Sequence, residues 1–322
     1  KANGFSFEHV NFYNSLRMMK EVEKIDYLAV DEIINQHGKD YLNNELIKIS
    51  KLNNYDLIFF FMFKDEFYKS TLNFLKKDLL IPTVAWMADD HWRFESYSKY
   101  WANYFSFVVT TDKNSLRKYK KNKLNNVILS QWACNHYNYK PVIKNNNYEV
   151  TFVGMAHGSR KKKIKYLNKI NKINKINCWG SGWDNGKLPF EKMIEVYSNS
   201  KINLNFSESS FQKNFKTFVK IFLSKTSTNR YEVNNLKLFY ANLSSFFKKS
   251  KNQIKGRGFE VPGCGGFLLT ENCPNLDNYF ELDKEIVVFD SLDEANDKIK
   301  FYEKNLDKIK NIAKNGYQRV IS

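Results

Sequence analysis

Cysteine is scarce in this sequence of 322 residues, which has only four of them, far apart at Cys134, Cys178, Cys264 and Cys273. No two form the Cys-x-x-Cys pair that is typical of structural zinc sites, so no such site is expected. The default for this pattern is reduced thiols in the cytoplasm, and a reactive cysteine is the weaker alternative.

Long apolar runs are absent as well. The longest run, residues 57–63, has the length of a strand and falls well short of the ~18 residues that a membrane span requires. Nothing resembles a signal peptide, but the sequence begins with Lys1 rather than Met, so we expect an N-terminal piece to be missing. The predicted location is therefore the cytoplasm, with peripheral attachment at the inner face of the membrane as an option.

Arginine is rare, with seven residues against 44 lysines, although the net charge is +17. The lysines are scattered through an Asn-rich and Ile-rich sequence, which indicates a compositional bias rather than a nucleic-acid-binding surface. No nucleic-acid partner is predicted. In such a background an arginine indicates a position where a planar, bidentate guanidinium matters, because lysine would supply a simple charge. Arg160 and Arg257 are the arginines of most interest.

The length predicts two domains of about 150 residues each, and 43% hydrophobic residues suffice to fill them. In the first domain, residues 1–145, apolar strands alternate with helical patterns, which is typical of a Rossmann-like sheet. The strands are predicted at residues 25–30, 57–63, 83–87, 107–110 and 127–130. A helix at 5–19 precedes them, so the first strand of this domain is expected to be missing. Residues 140–147 are the predicted linker.

The second domain, residues 146–322, restarts the alternation, with strands at 150–153, 176–179 and 202–206. Each strand runs into a turn that carries small, polar or basic residues. Ligands of open parallel sheets bind outside the carboxyl ends of the strands, so these turns are expected to form one site. The candidates are Gly154, His157, Arg160, Gly180, Trp183 and Ser207.

Residues 208–250 interrupt the second domain and predict a helical hairpin. One helix has a face of Phe211, Phe215, Phe218 and Phe222 opposite lysines, and the second carries Leu236, Phe239, Tyr240 and Phe247. Basic amphipathic helices bind membrane surfaces or partner proteins, but such a face more often packs on its own domain. Peripheral membrane contact through this insertion is therefore one option.

Residues 253–271 predict a loop, a short helix from about 258 to 264, a double-glycine break and a strand. Glycines at 256 and 258 let a phosphate approach the first turn of the helix, and Lys255 and Arg257 add positive charge. One carboxylate, Glu260, is placed to accept hydrogen bonds from ribose hydroxyls. Diphosphate beside ribose indicates a nucleotide sugar, and an ordinary basic loop before a buried helix is the alternative.

The run Lys255-Gly-Arg257-Gly-Phe-Glu260-Val-Pro-Gly-Cys-Gly-Gly266-Phe-Leu-Leu-Thr, with the ending Ile312-Ala-Lys-Asn-Gly316-Tyr-Gln-Arg-Val320, resembles the CgeB-like branch of glycosyltransferases. The similarity extends over residues 148–322 and is looser before them. It implies the GT-B fold, in which two Rossmann-like, doubly wound α/β domains face each other across a cleft, here with a helical insertion in the second.

The resemblance implies a nucleotide held by the second domain. Arg160 would bind the diphosphate, with Lys255, Arg257 and Gly258 beside it. Glu260 matches the second carboxylate of the family's Glu-x7-Glu pattern, which contacts the ribose. The sequence departs from the pattern at the first carboxylate, where Asn252 stands, and this puts the sugar-side contact in doubt. Gly180 and Trp183 would approach the base, unless Trp183 is simply a buried wall residue.

In the first domain, Asp89, Asp90 and His91 follow the predicted strand 83–87. Two carboxylates and an imidazole there suit the activation of an acceptor hydroxyl by a general base. The alternative is that Asp89 or Asp90 caps the next helix. The sequence Asp-Asp-His is also not the Asp-x-Asp motif of metal-dependent transferases. His157 is a weaker candidate, since lone histidines in turns are more often structural.

The predicted function is the metal-independent transfer of a sugar from a nucleotide diphosphate donor to a hydroxyl acceptor on a glycan, lipid or protein. A UDP-sugar is the favoured donor, and no separate cofactor is predicted. Positioning and cationic stabilisation of the departing diphosphate would provide catalysis. The alternatives are a non-catalytic protein that binds polyanions or membrane surfaces, and a sugar-nucleotide epimerase on the same fold.

Overall fold

A computed structural model describes residues 6–142, 148–171, 175–208, 215–249 and 251–322. The chain divides into two compact units. The first unit contains residues 26–131 and 213–250, and the second contains residues 1–25, 132–212 and 251–322. Part of the predicted linker, residues 143–147, and Phe211 of the predicted insertion lie outside the described residues.

Eleven strands are found in the described part of the chain. They are β1 (Ile58–Phe61), β2 (Thr83–Met87), β3 (Phe107–Thr110), β4 (Val127–Leu129), β5 (Tyr148–Val153), β6 (Asn177–Trp179), β7 (Ser200–Asn205), β8 (Leu223–Lys225), β9 (Tyr231–Val233), β10 (Leu268–Glu271) and β11 (Val287–Phe289).

Helices surround these strands. They are α1 (Asn14–Met18), α2 (Val30–Leu52), α3 (Lys69–Asn73), α4 (Asp90–Arg93), α5 (Lys99–Trp101), α6 (Ser115–Lys121), α7 (Arg160–Ile170), α8 (Phe190–Asn199), α9 (Phe215–Phe222), α10 (Leu236–Lys248), α11 (Arg257–Gly263), α12 (Leu292–Glu303) and α13 (Leu306–Ile321). Turns of π-helix at His9–Tyr13, Phe74–Asp78 and Phe94–Ser98, and 3₁₀ turns at Ala102–Tyr104 and Leu276–Asn278, adjoin them.

The first unit contains a four-stranded parallel sheet in the order β1-β2-β3-β4. Its middle strands are apolar on both faces, as expected for parallel strands that helices cover. Phe60 pairs with Ala85, which pairs with Val108, and all three are buried. Parallel neighbours require a crossover, and the helical segments between the strands supply it.

The second unit contains a five-stranded sheet in the order β11-β10-β7-β5-β6, again with parallel neighbours. Strand order reverses beside β5, where β7 and β6 lie on opposite sides. Such a switch point is where the turns after neighbouring strands diverge and leave room for a ligand. The α/β class and the two parallel sheets predicted from the sequence are confirmed.

The strand predicted at residues 25–30 is not formed. Residues 26–29 have no regular structure, and helix α2 begins at Val30. Tyr27 is exposed, whereas Leu28 and Val30 pack against the core of the first unit. Asp26 is occupied by a hydrogen bond from the Tyr55 hydroxyl at 2.6 Å. The other strands predicted for this unit are present.

The insertion differs from the predicted hairpin in two ways. Between α9 and α10 it contains a two-stranded antiparallel ribbon, β8 and β9. It also groups with the first unit, although the sequence-based boundaries assigned it to residues 146–322. Lys64 Nζ donates to the Thr226 carbonyl at 2.9 Å, and Ser227 N donates to the Asp65 carboxylate at 2.7 Å. Sequence position alone does not reveal such contacts between distant segments.

Candidate functional site

The turns that follow β5 and β6 meet at the carboxyl end of the second sheet. Gly154 N donates to the Trp179 carbonyl at 2.7 Å, and Ala156 N donates to the Ser181 carbonyl at 2.9 Å. Gly180 has φ of +128°, and a Cβ at this position would lie 2.3 Å from the Gly154 carbonyl oxygen. Glycine is therefore required where the two turns touch. The structure brings together Gly154 and Gly180 as the sequence predicted.

Two arginines converge over this edge. Arg257, the first residue of α11, lies against Gly154, where a Cβ would come within 2.6 Å of Arg257 Nη1. Arg160, the first residue of α7, is 3% exposed. The guanidinium carbons of Arg257 and Arg160 lie 5.5 and 5.8 Å from the centre of the Phe152 ring. Both cations therefore share one small region above β5.

The arginine pair carries unused hydrogen-bond donors. Arg160 donates to the carbonyls of Met155 at 3.2 Å and Glu208 at 3.4 Å. Among the described residues, Arg160 Nε and Arg257 Nη1 are buried and have no acceptor. Burial, and next the neighbouring Arg257 charge, lower the pKa of Arg160 to about 10. Unpaired buried donors and adjacent like charges both cost free energy. An anion bound by the two arginines would reduce both costs.

His157 lies at the same place. Its Nδ1 is buried without a partner in the described chain, and burial together with the Arg160 charge lowers its pKa. A neutral imidazole next to two guanidinium groups can donate a hydrogen bond to an anion without adding a third charge. The predicted contact of His157 with a phosphate stays a prediction.

A polar network orders the surrounding turns. Lys163 Nζ forms ion pairs with Glu271 at 2.6 Å and Glu208 at 3.4 Å, and Ser159 Oγ donates to Glu208 at 2.6 Å. Ser207 N donates to the Glu271 carboxylate at 3.1 Å, and the Ser207 hydroxyl donates to the Glu271 carbonyl. Ser207 is thus 1% exposed, and it links the ends of β7 and β10.

The helix and the strand predicted within residues 253–271 are present as α11 and β10. The two glycines at the start of the helix, Gly256 and Gly258, have different surroundings. A Cβ at Gly256 would lie 2.4 Å from the Phe7 ring, so this glycine makes room for packing. A Cβ at Gly258 would meet no atom within 4 Å, although the residue is buried. There is thus open space next to this buried backbone position, and the approach of a phosphate to Gly258 stays a prediction.

Glu260 is buried in the same turn of α11 and accepts a hydrogen bond from the Tyr139 hydroxyl at 2.8 Å. Burial raises the pKa of Glu260, while Tyr139 and Arg257 oppose the rise. Trp183 is half-buried, donates from Nε1 to the Gly154 carbonyl at 2.8 Å and contacts the Phe152 ring edge-on. Lys255 is half-buried just before α11. The predicted contacts of these three residues with ribose, base and phosphate stay predictions.

In the first unit, Asp89 and Asp90 occupy the turn between β2 and α4. Asp89 is the N-cap residue in a left-handed conformation with φ of +65°, but its side chain makes no capping hydrogen bond. Asp90 is fully buried, and its carboxylate accepts hydrogen bonds from Ser98, Thr110 and Tyr119. Burial raises the pKa of Asp90 to about 6, although the three donors oppose the rise. This environment favours a structural role for Asp90.

The insertion lies over this turn. Ser245 Oγ of α10 donates to the Trp92 carbonyl at 2.7 Å, and Lys249 Nζ is 3.8 Å from the centre of the Trp92 ring. Burial, and next the Lys220 charge, lower the pKa of Lys249 to about 8, while Asp89 raises it. His91 is half-buried at the start of α4. Lys249 was not predicted at this place, because it is distant from Trp92 along the chain.

Comparison with solved structures identifies the architecture. Sucrose-phosphate synthase (tll1590) from Thermosynechococcus elongatus aligns with a TM-score of 0.53 and 10% identity over 94% of this chain and 77% of that one. Anabaena Alr3699/HepE in complex with UDP aligns with a TM-score of 0.54 and 10% identity over 88% and 79%. A glycosyltransferase from Rickettsia africae ESF-5 aligns with a TM-score of 0.55 and 9% identity over 92% and 79%. The chain has the GT-B fold of glycosyltransferases.

The GT-B assignment has a counterpart in the sequence. Residues 225–322 match the family model described as glycosyl transferase-like. This segment includes Lys255, Arg257, Gly258 and Glu260, so four predicted donor-site residues lie within the matched region. No curated protein matches this chain.

Several residues at this edge of the second sheet were not predicted. Glu208, Glu271 and Lys163 form the network that holds the turns, and Tyr139 holds Glu260. Their positions at strand ends, directly after β7 and at the end of β10, were a signal for Glu208 and Glu271. Tyr139 follows no strand, and its partner lies in a helix far along the chain, so the sequence carried no comparable signal.

Proposed function

We propose that this protein is a glycosyltransferase that binds a nucleotide diphosphate sugar at the carboxyl end of the second sheet. The observation that carries the proposal is the pair of buried Arg160 and half-buried Arg257, each with a buried guanidinium nitrogen that has no acceptor in the described structure. A diphosphate supplies the acceptors and the negative charge that this pair lacks. The match of residues 225–322 to a glycosyl transferase-like family supports the same reading.

The arginines act on the leaving group. When the bond between the anomeric carbon and the diphosphate breaks, negative charge builds up on the phosphate oxygens. Two fixed guanidinium groups in a region shielded from water stabilise that charge without having to reorganise. Because these cations are already in place, we propose transfer without a divalent metal ion, and EDTA is expected to leave activity unchanged.

We further propose a uridine nucleotide as the donor, supported by similarity of fold to the HepE structures in complex with UDP and with UDP-glucose. The acceptor is a hydroxyl group on a glycan, lipid or protein. Asp89 and His91 remain the proposed general-base candidates, since Asp90 is fully enclosed. We also propose that the chain belongs to the CgeB-like branch, on the basis of the motif at residues 255–270. The proposed compartment is the cytoplasm.

The first experiment is a thermal-shift and calorimetric screen of nucleoside diphosphates and their sugar derivatives. One nucleotide is expected to raise the melting temperature, because ligands that bind only the folded state stabilise it. Arg257→Ala is expected to weaken that binding roughly 10- to 100-fold, the range for losing a charge-assisted hydrogen bond. Arg117→Ala, an exposed arginine of α6, is the matched control and should bind as the parent does.

The outcomes separate the alternatives. If no nucleotide binds and Arg257→Ala changes only salt-sensitive binding to a polyanion such as heparin, the transferase proposal is wrong. If the donor sugar isomerises without any acceptor, the protein is an epimerase. Release of nucleoside diphosphate that depends on an added acceptor supports transfer.

A further inference from the structure

The outward side of the insertion exposes an unusual number of large apolar side chains. Val233 is 84% exposed and Tyr231 67% exposed, although both belong to strand β9. The exposed set spans α9, the ribbon and α10, and comprises Phe215, Phe218, Phe222, Tyr231, Val233, Leu236, Tyr240 and Phe247. A concentration of this kind within 35 residues marks an interaction surface, whereas single exposed apolar residues do not.

Part of this surface is continuous. Ring centres lie 5.4 Å apart for Phe218 and Phe222, 5.3 Å for Phe222 and Phe239, and 5.4 Å for Phe239 and Tyr240. These contacts form an unbroken row of aromatic rings from α9 to α10. On the ribbon, Tyr231 and Val233 are two positions apart in β9 and so point to the same face.

The surface is also strongly basic. Residues 215–249 contain six lysines and one arginine against a single acidic residue, Glu232. Lys220, Lys225, Arg230 and Lys237 are exposed among the apolar side chains. Lys225 Nζ lies 5.7 Å from the centre of the Tyr231 ring, so apolar and cationic groups are interleaved rather than segregated.

The opposite side of the insertion is fixed to its own unit. Ala241 and Ser245 of α10 are buried, and Ser245 bonds to the Trp92 carbonyl. The ribbon turn bonds to Lys64 and Asp65. The insertion is therefore held in place by its buried side, and its apolar face stays exposed in the folded unit.

We propose that this surface, residues 215–249, docks the protein on an anionic lipid bilayer. Aromatic rings would enter the interfacial region while the surrounding cations contact lipid phosphates. Residues 215–249 carry a net charge of +6, more than a third of the chain's +17 in about a tenth of its length. This concentration of positive charge among exposed aromatic rings complements anionic lipid phosphates, so it favours a lipid surface over a protein partner. No helix of the described chain is long and apolar enough to cross a bilayer, and the proposal requires none.

The test is co-sedimentation of the full chain with vesicles of phosphatidylcholine that contain about 30 mol% phosphatidylglycerol, since anionic lipid supplies the attraction. Binding is expected to be at least roughly tenfold weaker with phosphatidylcholine alone, and to weaken as salt is raised. Equal binding to both vesicles, or none to either, would overturn the proposal.

Two pairs of variants localise the contact. Y231S combined with V233S should reduce binding roughly tenfold, because it removes two apolar anchors, whereas Leu52→Ser, at a residue 73% exposed in α2, should not. Lys225→Glu with Arg230→Glu should also reduce binding roughly tenfold. Lys120→Glu with Lys121→Glu, the same charge change on exposed positions of α6, is its control.

The controls decide whether general positive charge explains the binding. If the Lys120 and Lys121 reversal weakens binding as much as the Lys225 and Arg230 reversal, net charge is responsible and the proposal fails. If the Tyr231 and Val233 variant instead abolishes self-association measured by light scattering, the occupant is a second copy of this chain. Nucleotide binding, measured on the same variants, should be unchanged, so this test is independent of the proposed donor site.

Discussion

Each unit buries a charged side chain just beyond the carboxyl end of its parallel sheet, but the two charges are in opposite conditions. In the first unit, the Asp90 carboxylate is enclosed by hydroxyl donors from Ser98, Thr110 and Tyr119. In the second unit, Arg160 lies beside a second cation, Arg257, and both retain buried donors without acceptors among the described residues.

This difference distinguishes a buried charge that maintains the fold from one that is suited to bind a ligand. A buried charge whose hydrogen bonds are all made inside the protein contributes to a fixed local geometry. A buried charge with a like-charged neighbour and unused donors is more costly to the isolated protein than to a complex with an anion. The comparison therefore supports the proposed ligand site in the second unit, and it predicts different results for mutations at the two places.

The largest expected effect is on folding, from Asp90→Ala. The substitution leaves the buried hydroxyls of Ser98 and Tyr119 without their acceptor, and each such group costs about 1–3 kcal/mol. We expect the free energy of unfolding to fall by roughly 3–5 kcal/mol, measured by urea denaturation. Asp112→Ala, a carboxylate on the same side of the unit that is not fully buried, is the comparison variant. A loss below about 1 kcal/mol would show that Asp90 is not the structural centre of this turn.

The opposite pattern is expected for Arg160→Met. Replacing a buried charge by an apolar side chain of similar length removes the repulsion from Arg257, so the free energy of unfolding should change by less than about 1 kcal/mol. Nucleotide binding, measured by calorimetry, should weaken roughly 10- to 100-fold. If Arg160→Met instead markedly lowers the free energy of unfolding, while its folded fraction binds the nucleotide as tightly as the parent does, the proposed contrast between the two units is wrong.

The third expectation concerns pH. Asp90 has a pKa of about 6 in the folded protein and ~3.9 when unfolded, so between these values the folded state binds more protons. Its contribution to stability is therefore complete below pH 4 and declines by roughly 2–3 kcal/mol as pH rises through 6. Asp90→Asn should lack this decline. Buried Glu66 and Glu260 shift in the same direction and are present in both proteins, so the difference between the two curves isolates Asp90.

The sequence predicted the second sheet, and the residues that lie together at its carboxyl end, better than the first sheet. Gly154, Arg160, Gly180 and Arg257 are brought together because strand ends and their turns follow directly from local apolar runs and glycines. The rarity of arginine was informative as well, since both predicted arginines lie in this cluster. These signals are local in the sequence, so they can be recognised without knowledge of tertiary contacts.

The parts that could not be predicted depend on long-range contacts. The insertion was assigned to the second domain by chain position, yet Ser245 and Thr226 bond to residues near the first sheet. Residues 25–30 have the composition of a strand, but they do not pair with any strand of the first sheet in the described chain. The enclosure of Asp90 by Tyr119 likewise joins two segments that no sequence pattern links.

The smallest expected effect concerns Glu260 and distinguishes ribose binding from an internal contact. If Glu260 accepts hydrogen bonds from ribose hydroxyls, the protein should bind UDP roughly five- to tenfold more tightly than 2′-deoxy-UDP, about the worth of one hydrogen bond. Glu260→Gln should shrink this preference, whereas Glu232→Gln, at an exposed carboxylate, should retain it. Because Tyr139 already donates to one carboxylate oxygen of Glu260, Tyr139→Phe should change the preference less than Glu260→Gln does. If Glu260→Gln lowers stability as much as Tyr139→Phe and leaves the preference intact, Glu260 serves the fold, and the ribose must be held by other residues of the second unit.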